Sequence, residues 1–338
     1  MAKRAYSRKG NKIQPADMTL SFALALTEQN TESTIDLSQV ASLVNRRFYR
    51  QGINWAVAGF KLITPSAYTG EISIGKLPNT WVLSNSWEKS FRAWQRMNNE
   101  ALSESQSVKP RFLDFKIYAD AVHHSAGFVG NLLPLGFTPG EWESSKFLIP
   151  DTTTASGVQN REVIAVGANY PGVSSATGLN AISMIEGYAA SRALPAINDP
   201  NTPTDALRVD GSTPQNWIAA TFSDGTQQTD AVITDMVTEN NQAPYPYEDD
   251  GTHTDTMYPG GANQGLGLTI HDIEYVTPTT IGGTTRLKGG NFPCGLIRFN
   301  TLDINPAPST ESPAVFILHI DLVPGNHRGY LCEPMTEM

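Results

Sequence analysis

The residues best suited to chemistry in this chain are cationic and aromatic. In "NRRFYRQG" (45–52), Arg46, Arg47 and Arg50 flank Phe48 and Tyr49. Guanidinium groups grip phosphate oxygens in pairs, and aromatic rings offer faces on which unpaired bases stack. A second basic set opens the chain: Lys3, Arg4, Arg8, Lys9 and Lys12, with no acid before Asp17. Together these eight residues point to a polyanion, held by charge and without sequence preference. Binding of that kind weakens with salt. Five arm charges on a single strand imply a log–log slope of roughly −3.5. If residues 48 and 49 lie on a strand, alternation sends one ring inward and the other to the surface.

Other reactive types are present without a pattern that uses them. "YEDDGTHTD" (247–255) gathers Glu248, Asp249, Asp250 and Asp255 around a glycine. Such hard oxygen ligands suit calcium, but the spacing is not that of an EF-hand. A solvated acidic loop is expected, with no metal site assigned. The six histidines are scattered, and the adjacent His123 and His124 would face opposite ways on a strand. They are expected to be structural. No nucleophile elbow, H-E-x-x-H, paired C-x-x-C or phosphate-binding glycine loop occurs. No enzymatic role and no cofactor are therefore expected. Carboxylates that cleave glycans pair in space rather than in sequence, so a β-sandwich glycan-binding protein or glycoside hydrolase stays open as a rival.

Composition narrows the class. Charged residues make up 17% of the 338, below the roughly 25% of an average soluble protein. Gly (28) and Pro (22) mark many turns. The two cysteines, Cys294 and Cys332, are too few for a disulfide framework and read as buried thiols. No signal peptide and no span of membrane-crossing length are read, so no membrane partner is expected. The net charge of −9 hides a division. Residues 1–116 carry 16 Lys/Arg against 9 Asp/Glu, while 117–338 carry 8 against 24, giving +7 and −16. Such asymmetry suits one end facing a polyanion.

The elements that must position these groups are mostly strands. Alternation and β-branched content predict strands at 18–26, 53–64, 70–77, 111–122, 161–167, 267–277, 284–289, 293–304 and 315–323. "IDLSQVASLVNRR" reads as a strand followed by a short helical turn. One helix is clear at 85–102, where Trp87, Phe91, Trp94 and Leu102 share a face and Glu88 and Arg92 pair across a turn. Its aromatic stripe is expected in the core or at a subunit contact. A second helix is predicted at 178–194. Residues 125–160 and 195–262 read as long loops, apart from short apolar runs at 216–222 and 230–237. The expected fold is all-β: a jelly-roll β-sandwich with one or two inserted helices and long surface loops. Residues 1–16 form a flexible basic arm and 17–338 one domain.

"NRRFYRQGINWAVAGF", "KLPNTWVLSNSWEKSFRAWQRMNNEAL", "FPCGLIRFN" and "LVPGNHRGYLCEPM" cover about a fifth of the chain. They resemble capsid (coat) proteins of small circular single-stranded DNA viruses of the CRESS type, known from environmental samples. The middle, about 125–265, carries no such likeness. The resemblance implies a jelly-roll coat subunit located in the virion. It would self-assemble into an icosahedral shell around a single-stranded DNA genome, without enzymatic activity. The arm residues would then face the interior. Many coat proteins of this type carry much longer arginine-rich arms. With about one phosphate neutralised per charge, about 60 subunits supply about 300 to 480 charges, and about 180 supply about 900 to 1,440. The short arm therefore favours the larger shell, or polyamines and metal ions sharing the task. A coat protein of a single-stranded RNA virus and a nonviral DNA-binding protein remain as further alternatives.

Overall fold

The computed structural model describes residues 15–26, 30–65, 68–103, 114–150, 158–168, 180–185, 267–278, 283–304 and 314–338. The main body is two antiparallel sheets packed face to face. One holds β1 (Thr19–Leu26), β11 (Ala314–Leu322), β3 (Ile53–Ile63) and β9 (Thr284–Phe292), in that order. β14 (Cys332–Pro334) pairs with the first residues of β3, continuing the line of β11. The other sheet orders β2 (Asn30–Asp36), β10 (Leu296–Asp303), β4 (Gly70–Lys76) and β8 (Thr269–Val276).

Alternation explains why these segments pair as they do. Leu20, Phe22 and Leu24 of β1 meet Phe316, Leu318 and Ile320 of β11 on the inner face. Across the gap lie Ile35, Ile72, Ile74, Ile297 and Phe299 from the second sheet, in one continuous core. β3 departs from strict alternation. Trp55 and Val57 point inward, then Phe60 and Leu62 do. Against β11 the register skips Ala58, so one extra residue in β3 reverses the parity and keeps Lys61 out of the core. The bulged backbone presses on β9, where a Cβ at Gly289 would lie 2.2 Å from the Ala58 carbonyl oxygen.

The registers also fix which connections share an end. Thr19 pairs with Asp321, Leu296 with Asp36, and Ile297 with Lys76. At one crowded end of the sandwich β1, β3, β8 and β10 begin and β2, β4, β9 and β11 finish; at the other end the directions are reversed. At the crowded end stand α1 (Leu37–Asn45), α2 (Trp81–Ser103), α3 (Ala121–Ala126) and a small sheet of β5 (Lys146–Pro150), β6 (Val158–Ile164) and β7 (Ala181–Ser183). A second core fills the space between α2 and this small sheet, through Leu83, Trp87, Phe115, Phe147, Val163 and Ile182. β12 (Pro324–Gly325) and β13 (Gly329–Tyr330) form a tight hairpin beside α1.

Several expectations need correction. The described residues hold three α-helices rather than one or two. The strand predicted at 111–122 is, from 114, an extended segment with one bridge from Tyr118 to Ile164, followed by α3. Asp120 caps that helix by accepting from the His123 amide at 2.9 Å. The helix predicted from 178 meets a strand instead, since Ala181–Ser183 pairs in parallel with β6. The presumed loop 125–160 contains β5 and the start of β6. The helix predicted at 85–102 begins four residues earlier, at Trp81. The chain is held from Pro15, slightly before the expected domain start. Residues 1–14, the apolar runs 216–222 and 230–237, and the acidic loop 247–255 lie outside the described residues.

Candidate nucleic-acid interface

The arginine loop hangs between α1 and β3. Asp36 starts α1 by accepting from the amides of Ser38 at 2.9 Å and Gln39 at 3.3 Å. Arg46 ends it in a left-handed conformation, φ 52°. Cations beside a helix C-terminus offset the partial negative charge of its last carbonyls, and Arg46 and Arg47 stand at that place. Asn45 accepts from the Asp17 amide at 3.1 Å and donates to the Tyr330 hydroxyl at 2.8 Å. That hydroxyl donates in turn to the Asp17 carbonyl at 2.7 Å. Arg47 Nη1 donates to the Pro15 carbonyl at 3.0 Å. The chain leaving the basic arm is thus fastened to the arginine loop.

Residues 46–52 form a loop and not a strand edge, so their side chains follow local anchors. Tyr49 is fully buried. Its amide donates to Ser42 Oγ at 2.9 Å and its hydroxyl to the Arg328 carbonyl at 3.0 Å. Its ring packs 5.9 Å from Trp55 and 5.5 Å from Tyr330. Burial raises its pKa. Tyr49 therefore has no face to offer a base. Phe48 is half-buried, 6.5 Å from Trp142. Gln51 is buried as well; it accepts from the Ile117 amide at 2.6 Å and donates to Asp36 Oδ2 at 3.2 Å. Between these anchors Arg46 and Arg50 are exposed and Arg47 is half-buried.

The structure adds a fourth guanidinium that sequence reading did not single out. Arg328, in the turn of the β12–β13 hairpin, donates from Nη1 to the Phe48 carbonyl. It lies 280 residues from its partner, so no local pattern could join them. His327, next to it, has a lowered pKa, first through burial and then through the charges of Arg328 and Arg50. It is a neutral imidazole at pH 7, inside a positive field.

Beside Arg50 opens a cavity of about 290 Å³. Its walls include Trp87 and Phe91, stacked at 5.0 Å with planes 13° apart, and Phe115, whose ring lies 6.1 Å from Trp87. The expected aromatic stripe of α2 thus packs in the second core while one edge borders open space. His327, Cys332, Glu333 and Pro334 also line it. Gly52 permits the approach, because a Cβ there would sit 2.2 Å from Trp87 Cζ2.

Arm residues Lys3, Arg4, Arg8, Lys9 and Lys12 lie outside the described residues, as do Asp249, Asp250, His253 and Asp255. His123 and His124 sit on α3. His123 is buried, accepts from the Ala119 amide at 3.0 Å, and has its pKa pushed down to about 3, chiefly by burial. His124 lies 2.7 Å from Glu162. His271 contacts the Lys288 carbonyl at 3.0 Å. Cys294 and Cys332 are free thiols, Cys294 buried and Cys332 partly so, and burial raises both pKa values. Among the described residues no group of three or more His, Cys, Asp or Glu could hold a metal ion, and no helix is long and apolar enough to cross a membrane. No protein-family model, curated protein or solved structure matches the chain.

Proposed function

We propose that this chain is a viral coat subunit, a jelly-roll sandwich that self-associates into an icosahedral shell and packages single-stranded DNA by non-specific electrostatic contact. Strand order supports the jelly-roll part. Counting only the eight strands of the two large sheets, the orders are 1-8-3-6 and 2-7-4-5. Every strand of the first four pairs with its counterpart from the last four: β1 with β11, β2 with β10, β3 with β9, β4 with β8. A long antiparallel ribbon wrapped around a core produces that order, as in coat-protein jelly rolls.

The observation that carries the packaging part is the bond from Arg47 to the Pro15 carbonyl. It sets the root of the basic arm beside three ordered arginines, at the end where Arg328 also lies. Arg328 is bonded to the Phe48 carbonyl, so cations far apart in sequence share this end, as phosphate binding requires. The resemblance in the four quoted segments supports self-association, as do the apolar side chains left exposed on the second sheet, Ile270, Ile273, Tyr275 and Leu302.

Negative-stain microscopy of the purified full chain tests the reading. Uniform spherical particles are expected, with nucleic acid inside that survives external nuclease and is digested by DNase after disruption. A small species at every salt concentration overturns the coat reading and favours a glycan-binding or hydrolytic sandwich. Contents digested by RNase instead move the assignment to a single-stranded RNA virus.

A further inference from the structure

We propose that the cavity between the arginine loop, α2 and β14 takes one unstacked base of the packaged strand, with Arg50 on the adjoining phosphate. This rests on the packaging reading and adds a defined subsite to it. Size and wall chemistry argue for this occupant. At about 290 Å³ the cavity is close to the lower bound of small-ligand sites, about 300 Å³, and has room for one base. Trp87, Phe91 and Phe115 supply an aromatic wall, the surface on which single-stranded nucleic acid is held irrespective of sequence.

Position argues for the same occupant. Arg50 lines the cavity and is also part of the cationic loop, so a strand lying on Arg46 and Arg47 passes its mouth. Arg50 is held out by the buried residues on either side of it, Tyr49 and Gln51. His327 lines the opposite element. A neutral imidazole offers one donor and one acceptor to a base edge, and it adds no repulsion toward Arg50. Glu333 is engaged by Asn54 Nδ2 at 2.9 Å, which anchors β14 as a rim.

Photo-cross-linking of the full chain to an oligodeoxynucleotide carrying 5-bromodeoxyuridine, followed by peptide mapping, tests the subsite. Cross-links are expected in 85–96 and 327–334. In competition, the base-bearing oligonucleotide should outbind an abasic strand of equal length and charge by at least about fivefold, the lower bound for one stacked base. Arg50→Gln should reduce cross-linking at 327–334 by a similar factor. Phe91→Leu should do the same, and Arg50→Gln, at an exposed position, keeps the test valid if that variant does not fold. Cross-links confined to 1–14 and 45–50, or equal binding of the abasic strand, overturn the subsite and leave packaging intact. Absence of any salt-dependent binding overturns both.

Discussion

Tyr49 decides what the arginine loop can be. A tyrosine between arginines invites a stacking role, but its burial spends the ring on Trp55 and Tyr330 and the hydroxyl on the Arg328 carbonyl. What the buried ring provides is rigidity. With Tyr49 and Gln51 fixed, Arg50 is presented without the loop having to order on binding, so less conformational entropy is lost. The arginine cluster was legible from residue type alone. Its alliance with Arg328 was not, because a tertiary contact joins them. If each of the three contacts a phosphate, replacing Arg46, Arg47 and Arg50 together by Gln should reduce the log–log salt slope for single-stranded DNA by about 2. Fluorescence anisotropy across a salt series measures it. An unchanged slope would assign the loop to contacts between subunits.

At the scale of elements, the sequence was most readable where one face is buried and the other wet. β1, β4 and β11 fall within a few residues of the predicted strands because a period of two is visible in each. β3, β8 and β10 were also legible, from their apolar and β-branched content, although a bulge at Ala58 changes parity inside β3 and β8 leaves Ile270, Ile273 and Tyr275 exposed. A competing signal hid α3. In "KIYADAVHH" the alternation of apolar residues outweighed the Asp120 cap, although a cap and two histidines mark a helix start and end. That helix has a pH consequence. His123 is buried against Arg298 and His124, and its pKa falls from 6.5 to about 3. The unfolded chain therefore binds a proton between those values that the folded chain does not. By linkage, the stability is fully present above pH 6.5 and is lost as pH falls toward 3. The full shift corresponds to up to about 5 kcal/mol. Protection factors for the amides at 119–127, corrected for the intrinsic exchange rate at each pH, should fall below pH 6.5, and His123→Gln, which cannot be protonated, should flatten that dependence. Arg298 ties the same cap to the second sheet, donating to Asp120 at 2.6 Å, Glu32 at 3.0 Å and Thr34 at 3.0 Å. Acid opening of α3 would thus be felt at β2 and β10.

For the whole molecule, the coat-subunit proposal turns on the charge each copy carries. The first 116 residues carry +7 and the remainder −16. The arm root, the arginine loop and Arg328 share one end, set by the registers of β1 with β11 and of β2 with β10. Of the eight basic residues read as nucleic-acid contacts, five precede Pro15, and the bonds that fasten Pro15 and Asp17 come after them. Deleting residues 2–12 keeps those bonds and should leave shell formation intact. Loss of five charges of eight, at about one phosphate each, should lower the nucleic acid retained to roughly 40% of the full-length value. The ratio of absorbance at 260 and 280 nm, on shells purified at one salt concentration, reads the change directly. A small residual content with intact shells assigns packaging to the arm and makes the ordered arginines a secondary line. An unchanged content places packaging on the ordered end of the sandwich, where Arg46, Arg47, Arg50 and Arg328 stand together. Loss of the shell itself would make the arm a part of assembly, with its positive charge meeting the acidic portion of a neighbouring subunit rather than a genome.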